Sequence, residues 1–501
     1  EAVQNSQVAN PSASPACVAA LPPNTSVSVD LGAECKNPSS CAGVSLLVSN
    51  NGIDNVVATN DSDGGAGTVT LYTTRNLLFD ANSRAPLIVN YSDVGLMELH
   101  GRYEILDNSG AGLGVYISGQ SNEFIVSPHT LAITTIETDS EASSSNPGTT
   151  GSGAGFLAAG SPFYVEVESR DSLGNITPNY GNEISPEGVL LDIHSLVFPT
   201  GGDAGSLLNG GAFTVTSVPG AFENSTLAWA DVGTLTLNAH VADGDYLGAG
   251  DVASVDVSGN VGRFYPDHFQ LTASIEDACT SGNFTYMDQD DIDLNSTVGA
   301  YAVGNTLVGN YDTSKLYPVA TATYSAENMG DGSDLIGRLT APLQSPVWLN
   351  GQIVSNSSSV EFQRSVMPDG PYLHVQLGIV LDDSLDSRTF NTALDFNPAS
   401  SASFVFATSV DGCVADGNCT GMKIGDPLDI RFGRLFLQDS YGPEAAPLPV
   451  KFQVEYWNGK LFVANTLDSS TPPASDGCTS ILRSRFILDG TDTIENFDVA
   501  V

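Results

Sequence analysis

The sequence predicts an all-β protein of tandem β-sandwich domains in an elongated arrangement, and three observations carry that prediction. Gly (51 residues), Ser, Thr, Asn and Asp stand where a helical protein would carry Lys and Glu. Short apolar–polar alternations of period two recur between turn-forming clusters, and no segment longer than a turn or two holds a helical period. At 501 residues the chain exceeds what one core can organise, which suggests about three or four domains. Hydrophobic residues make up 41%, with 21 Phe and 16 Tyr spread along the length, so several cores can form and a disordered chain is excluded.

The elements follow in order. Residues 1–22, rich in Ala, Ser, Asn and Pro, have no periodicity and are expected to form an extended tail. A β-sandwich is expected over 23–126, with strands at Val27–Leu31, Val44–Val48, Thr68–Tyr72, Leu87–Tyr91 and Leu96–Leu99 between Gly, Asn and Asp turns. A second domain is expected over 127–258. In it Phe163, Val165 and Val167 alternate with Tyr164, Glu166 and Glu168 before a turn at Asp171–Asn175, and Ala228–Leu237 gives a late strand pattern. Ser140–Gly155 reads as a flexible Ser/Gly-rich surface loop. This stretch resembles the bacterial immunoglobulin-like modules of surface proteins, which implies the fold and little about function.

Two further β domains are expected, over 259–400 and 401–501. In the last, Val450, Phe452, Val454 and Tyr456 alternate with Lys451, Gln453, Glu455 and Trp457. Asn458-Gly459 follows, favouring a two-residue type I′ turn into Lys460–Thr466. That turn would set Tyr456 opposite Leu461 and Val454 opposite Val463.

Charge excludes some functions. With 58 acidic against 17 basic residues the formal charge is −41, a field that repels phosphate backbones and anionic lipid. No nucleic acid is expected as partner, and cations are. No apolar run approaches the roughly 18 residues of a spanning helix, so no membrane insertion is expected. A chain that starts at Glu1 with no signal peptide reads as a mature or excised product.

The seven cysteines point to an oxidising compartment outside the cytoplasm. Cys35 with Cys41, and Cys413 with Cys419, share one spacing filled by turn residues; no CxxC and no nearby His suggests zinc, so small disulfide loops are expected. Cys279 and Cys478 remain as a long-range pair. Cys17 is left over, free or bonded to another chain.

Val261–Phe269, Cys279, Phe284–Asp288, Asn310-Tyr311, Phe362–Arg364, Pro368–Tyr372, the run Arg431–Ser470 and Asp476–Thr479 stand in an order that is informative as a set. Together they resemble the carboxy-terminal region of the MSHA (mannose-sensitive haemagglutinin) pilus biogenesis protein MshQ family, preceded by the immunoglobulin-like modules. The resemblance implies a secreted or cell-surface, pilus-associated protein of a Gram-negative bacterium, and it supplies no catalytic residue. Two departures from the family's pattern are expected to matter: the lectin-like module that larger relatives can carry before this region is not in this sequence, and the family's usual final segment does not appear after Phe497–Val499.

Chemistry-bearing spacings are sparse. No G-x-S-x-G, H-E-x-x-H, G-x-x-x-x-G-K-[ST] or G-x-G-x-x-G occurs, and the histidines (100, 129, 194, 240, 268 and 374) are scattered, so no catalytic residue is assigned. Two acidic loops read as Ca²⁺ ligands or as solvated turns: Asp61 and Asp63 ahead of Gly64, and Asp288, Asp290, Asp291 and Asp293. No cofactor is otherwise required. Trp457 reads as a surface platform for sugar, beside Lys460, or as a core residue. Arg263, Arg431 and Arg434 read as structural arginines held by carboxylates.

These readings converge on a non-enzymatic, extracellular structural or adhesive component of a pilus or bacterial surface. Its partners would be pilus or filament subunits, copies of itself among them, and a cell-surface glycan. The alternatives are a self-assembling filament subunit joined by β-strand complementation, and a carbohydrate-active enzyme.

Overall fold

The computed structural model describes residues 3–5, 17–19, 21–41, 44–62, 69–141, 143–252, 257–280, 282–329, 331–340, 347–398, 413, 417–444 and 446–468. Within them the chain is a series of β-sheet modules, with 3-10 turns at Thr313–Lys315 and Ile336–Arg338. The tandem β-sandwich class is the observed one.

In the first module the strands run, in spatial order, Phe124–Val126, Gly95–Leu106, Ser26–Asn37, Ile53–Asp61, Leu46–Asn50 and Ile88–Tyr91. Thr73–Leu78 adds to Ser26–Asn37, and Gly112–Gln120 adds to Gly95–Leu106. Period-two alternation sends Leu31, Ala33, Cys35 and Met97 into a core with Leu46, Val48 and Val57. The same alternation leaves Glu34, Lys36, Glu98 and His100 on the opposite face.

Two expectations fail here. The strand expected at Thr68–Tyr72 lies instead at Thr73–Leu78. The Asn60 side chain accepts from the Thr70 and Leu71 N–H groups and donates to the Leu71 carbonyl, taking the bonds a ladder partner would supply. Residues 1–22, expected to form an extended tail, contain Val3–Asn5 and Cys17–Ala19 paired antiparallel with each other.

The second module packs two sheets face to face. One holds Thr130–Glu137, Phe163–Arg170 and Ala221–Trp229, and the other Val189–Phe198, Gly233–Val241 and Val261–Phe264. Val165, Val167, Leu191, Leu235, Leu237 and Trp229 fill the space between them. The turn at Asp171–Asn175 forms because Asp171 Oδ1 accepts from the Leu173 and Asn175 N–H groups while Gly174 takes φ +86°.

The Ser/Gly-rich segment is not the loose loop expected. Asn146 Oδ1 accepts from the Gly262 N–H at 2.9 Å, Thr149 N–H donates to the Gly262 carbonyl, and Phe156 N–H donates to the Arg263 carbonyl. The segment serves as a lining on the strand Val261–Phe264. That strand belongs to the second module's sheet, so the expected boundary at 258/259 falls before the module's last strand.

The third module pairs His268–Glu276, Ile292–Tyr301 and Gln352–Val360 in one sheet, and Thr285–Tyr286, Gly421–Arg431, Tyr372–Asp382, Thr321–Asn328 and Ser333–Asp334 in the other. Phe269, Tyr311, Trp348 and Phe362 dominate its core. Because Gly421–Arg431 pairs with Tyr372–Asp382, the chain on both sides of the expected 400/401 boundary shares one sheet.

Last comes a three-stranded sheet, Gly433–Leu437, Phe452–Trp457 and Phe462–Ala464. The hairpin lies at Asn458-Gly459, but its register differs from the expected one by two residues: Tyr456 faces Val463, and Trp457 faces Phe462. Of the two turn residues only Gly459 has positive φ. The Asn458 side chain instead caps the Lys460 and Leu461 N–H groups, which opens the turn to Asn458–Leu461.

Disulfides join Cys35 to Cys41 and Cys413 to Cys419, with Cα separations of 5.5 and 4.8 Å. Cys279 is also disulfide-bonded, and Cys478 lies outside the described residues. Closing a loop as short as Cys35–Cys41 is worth about 2 kcal/mol in unfolded-chain entropy. Replacing both cysteines by Ser is expected to lower the unfolding free energy of the first module, measured in urea, by that amount, with the other modules unchanged.

Candidate functional site

Asp-Val-Gly occurs at 93–95 and again at 231–233. Each copy sits where one module meets the next, and each meets an Asn-Tyr of the following module, at 179–180 and at 310–311.

At the first junction Asp93 Oδ1 accepts from its neighbour Val94 N–H at 2.9 Å and from the Asn179 N–H at 3.0 Å. The Asn179 side-chain amide donates back to the Tyr91 hydroxyl and to the Val94 carbonyl, both at 3.1 Å. Val94 itself is buried in the second module's core. The second junction repeats the plan. Asp231 Oδ1 accepts from Val232 N–H at 2.8 Å and Asn310 N–H at 3.0 Å, and Val232 is buried in the third module's core. Here the Asn310 side chain holds the backbone of Asp203, accepting from its N–H at 2.8 Å and donating to its carbonyl at 2.7 Å.

Glycine is required third in the motif. Gly95 and Gly233 have φ of +138° and +132°. A Cβ on Gly95 would lie 2.7 Å from the Asn37 carbonyl oxygen, and one on Gly233 would strike the Phe198 backbone. Each junction thus uses an Asp to hold the neighbour's backbone, a Val to enter its core and a Gly to let the strand start close beneath. Burial raises both carboxyls, Asp93 to about 6 and Asp231 to about 6, against the N–H bonds that pull them down.

A further tie crosses from the second to the third module. Arg263 is fully buried; its guanidinium donates two bonds to the Asp386 carboxylate, one of them 2.7 Å long, one to the Tyr317 hydroxyl at 3.1 Å and one to the Gly153 carbonyl at 3.0 Å. The other two arginines are also paired, Arg431 with Asp429 and Arg434 with the buried Glu455.

Replacing Asn179 by Ala is expected to cost about 1–3 kcal/mol, because the Val94 carbonyl loses its partner in a buried place. Limited proteolysis between the first and second modules checks this, since a loosened joint is cut faster than the wild type.

Among the described residues, the acidic side chains expected to bind Ca²⁺ form no convergent group. Asp61 accepts from the Cys41 N–H and so braces the first disulfide loop, and Asp63 lies outside the described residues. Asp288 accepts from the Arg364 N–H, Asp293 from the Asn295 amide, and Asp290 and Asp291 are exposed. Among the described residues the ligand atoms that do converge are those of Glu34, Glu98 and His100, within 4.8 Å of one another. All three side chains are buried, with Lys36 beside them. Sequence reading missed this group because Glu34 lies far from the other two along the chain and only strand register unites them.

Trp457 is half-buried against the third module's core, its ring centroid 5.4 Å from that of Phe462, and its backbone N–H donates to the Phe432 carbonyl.

Four family models match the chain. Domain of unknown function (DUF6701), first Ig-like domain, covers residues 1–120; DUF6701, second domain, covers 127–225; DUF6701, third domain, covers 231–409; DUF6701, fourth domain, covers 431–486. No curated protein matches the sequence. Among solved structures, the Yersinia pseudotuberculosis adhesin InvE is similar at 17% identity with a TM-score of 0.24. The similarity covers 50% of this chain and 62% of that one, less than two thirds of its length.

Proposed function

Because the chain belongs to the DUF6701 family, a multi-domain family whose first domain is immunoglobulin-like, we propose that it is a non-enzymatic structural or adhesive component displayed outside a Gram-negative cell. The observation that carries this reading is the repeated Asp-Val-Gly/Asn-Tyr junction. Domains of one chain commonly move relative to one another across modest, polar interfaces. Here each junction instead inserts a valine of one module into the core of the next and satisfies buried polar groups across the joint. A device that fixes successive modules suits a part that holds a surface at a distance and carries load. The disulfides fit an oxidising exterior. Among the described residues no helix is long and apolar enough to cross a membrane. Association with a pilus is the finer reading, which the MshQ resemblance supports.

Antibody labelling of intact producing cells tests the placement: label on unpermeabilised cells is the expected result, and label only after permeabilisation overturns it. Retention of chain-coated beads on glycan-bearing surfaces under flow then separates adhesion from a purely structural role.

A further inference from the structure

We propose that Glu34, Glu98 and His100 form a binding site for one divalent transition cation of the Zn²⁺ class. The site is built by register. Glu34 stands directly opposite Glu98 on neighbouring antiparallel strands, and His100 follows Glu98 by two residues, on the same face. His100 Nε2 lies 3.2 Å from Glu34 Oε2 and 3.3 Å from Glu98 Oε2. Ligands held at about 2.0–2.1 Å around a tetrahedral Zn²⁺ stand about 3.3 Å apart, so both distances from the imidazole already have the spacing of such a set, and the three ligand atoms lie within 4.8 Å of one another.

The bonding state of the same atoms points to a missing ligand. Glu34 and His100 are 2% and 7% exposed, yet Glu34 Oε2 and His100 Nε2 have no hydrogen-bond partner. Orphaned buried atoms of this kind call for a bound ion or water. Lys36 does not meet the need. Its ammonium lies 3.4 Å from the other Glu34 oxygen and 3.5 Å from Glu98 Oε2, so one positive charge faces two buried carboxylates. A divalent cation would balance both, and Lys36, with 24% of its side chain exposed, can swing toward solvent. Imidazole among the ligands favours zinc-like ions over Ca²⁺ or Mg²⁺.

The surroundings hold the ligands in place. Gln120 donates to Glu98 Oε1 at 2.8 Å, leaving Oε2 for the ion. Gly32, opposite His100, leaves room for the segment Val69–Tyr72 to cross above the sheet: a Cβ there would lie 2.6 Å from a Val69 methyl carbon. Asn60 ties that crossing segment down.

The test uses the full chain, stripped with chelator and titrated with ZnCl₂ by calorimetry in excess Ca²⁺, which occupies the weak sites of an acidic surface. One Zn²⁺ per chain is expected, with a rise in melting temperature. Affinity should fall at least tenfold in Glu34→Gln and in His100→Ala, and rise in Lys36→Met, which removes the competing cation. Co²⁺ should give the intense visible bands of a four-coordinate site in the wild type and not in His100→Ala. If His100→Ala fails to fold by circular dichroism, Glu34→Gln and Lys36→Met, which nearly conserve volume, decide the matter. Zn²⁺ binding that is absent, or unchanged in Glu34→Gln, or weakened in Lys36→Met, overturns the proposal.

Discussion

Replacing Asp386 by Ala is expected to destabilise the chain by about 3–5 kcal/mol, the cost of stranding a buried charge. Arg263 is fully buried and its guanidinium reaches no solvent, so the loss of Asp386 leaves two N–H groups and a full positive charge without their anion. The Tyr317 hydroxyl and the Gly153 carbonyl remain, but they are neutral acceptors. The damage should be shared by the second and third modules, because Arg263 lies on the last strand of one and Asp386 in the other. Urea unfolding followed separately through each module checks this. The double change Arg263→Met with Asp386→Leu should recover most of the loss, since a buried pair is costly to break and cheap to replace by apolar groups of similar size.

Raising the pH from about 4 to 7 is expected to weaken the two Asp-Val-Gly junctions. Asp93 and Asp231 are each raised to about 6 by burial, against about 3.9 in an unfolded chain. The folded state therefore binds these protons more tightly than the unfolded state. The stability they confer is fully present below about pH 4 and is lost as pH rises through 6, by as much as about 3 kcal/mol each. Asp231→Asn retains an oxygen to accept from the Val232 and Asn310 N–H groups and does not ionise. It should stabilise the protein by about 1–3 kcal/mol at pH 7, have little effect at pH 4, and flatten the profile of melting temperature against pH. Other carboxyls act in the opposite sense: Asp312 and Asp331 are lowered by hydrogen bonds that outweigh their burial, and their contribution is lost on acidification.

The fold class was legible because so much of it rests on local alternation. Phe163, Val165 and Val167 read as inward-facing and are so, and the Asp171 turn follows from a side chain bonding to its own loop. Register was harder to read. At Asn458-Gly459 the residue pair marks a turn, but whether Asn takes positive φ or caps the chain with its side chain is a close contest, and capping displaces every pairing by two. The junctions were half legible. Both Asp-Val-Gly copies and the Asn-Tyr pairs at 179–180 and 310–311 stand in plain view, and Asp231–Gly233 falls within the late strand pattern of the second module. What joins them is contact between modules, which no periodicity encodes. The Glu34–Glu98–His100 group lies further still from sequence reading, because its members are polar residues on a face that local pattern assigns to solvent. That face is buried because a segment held by Asn60 crosses it.

The central claim is that the first module is fixed to the second, and the second to the third, by the repeated junction, and an electron–electron distance measurement tests it most directly. Spin labels placed through noncanonical residues at Ile88 and Leu173, exposed positions on the first and second modules, report on the joint between them. A single narrow distance distribution in the wild type, broadened in Asn179→Ala, is the result the account predicts. A wild-type distribution already as broad as that of the variant would contradict it.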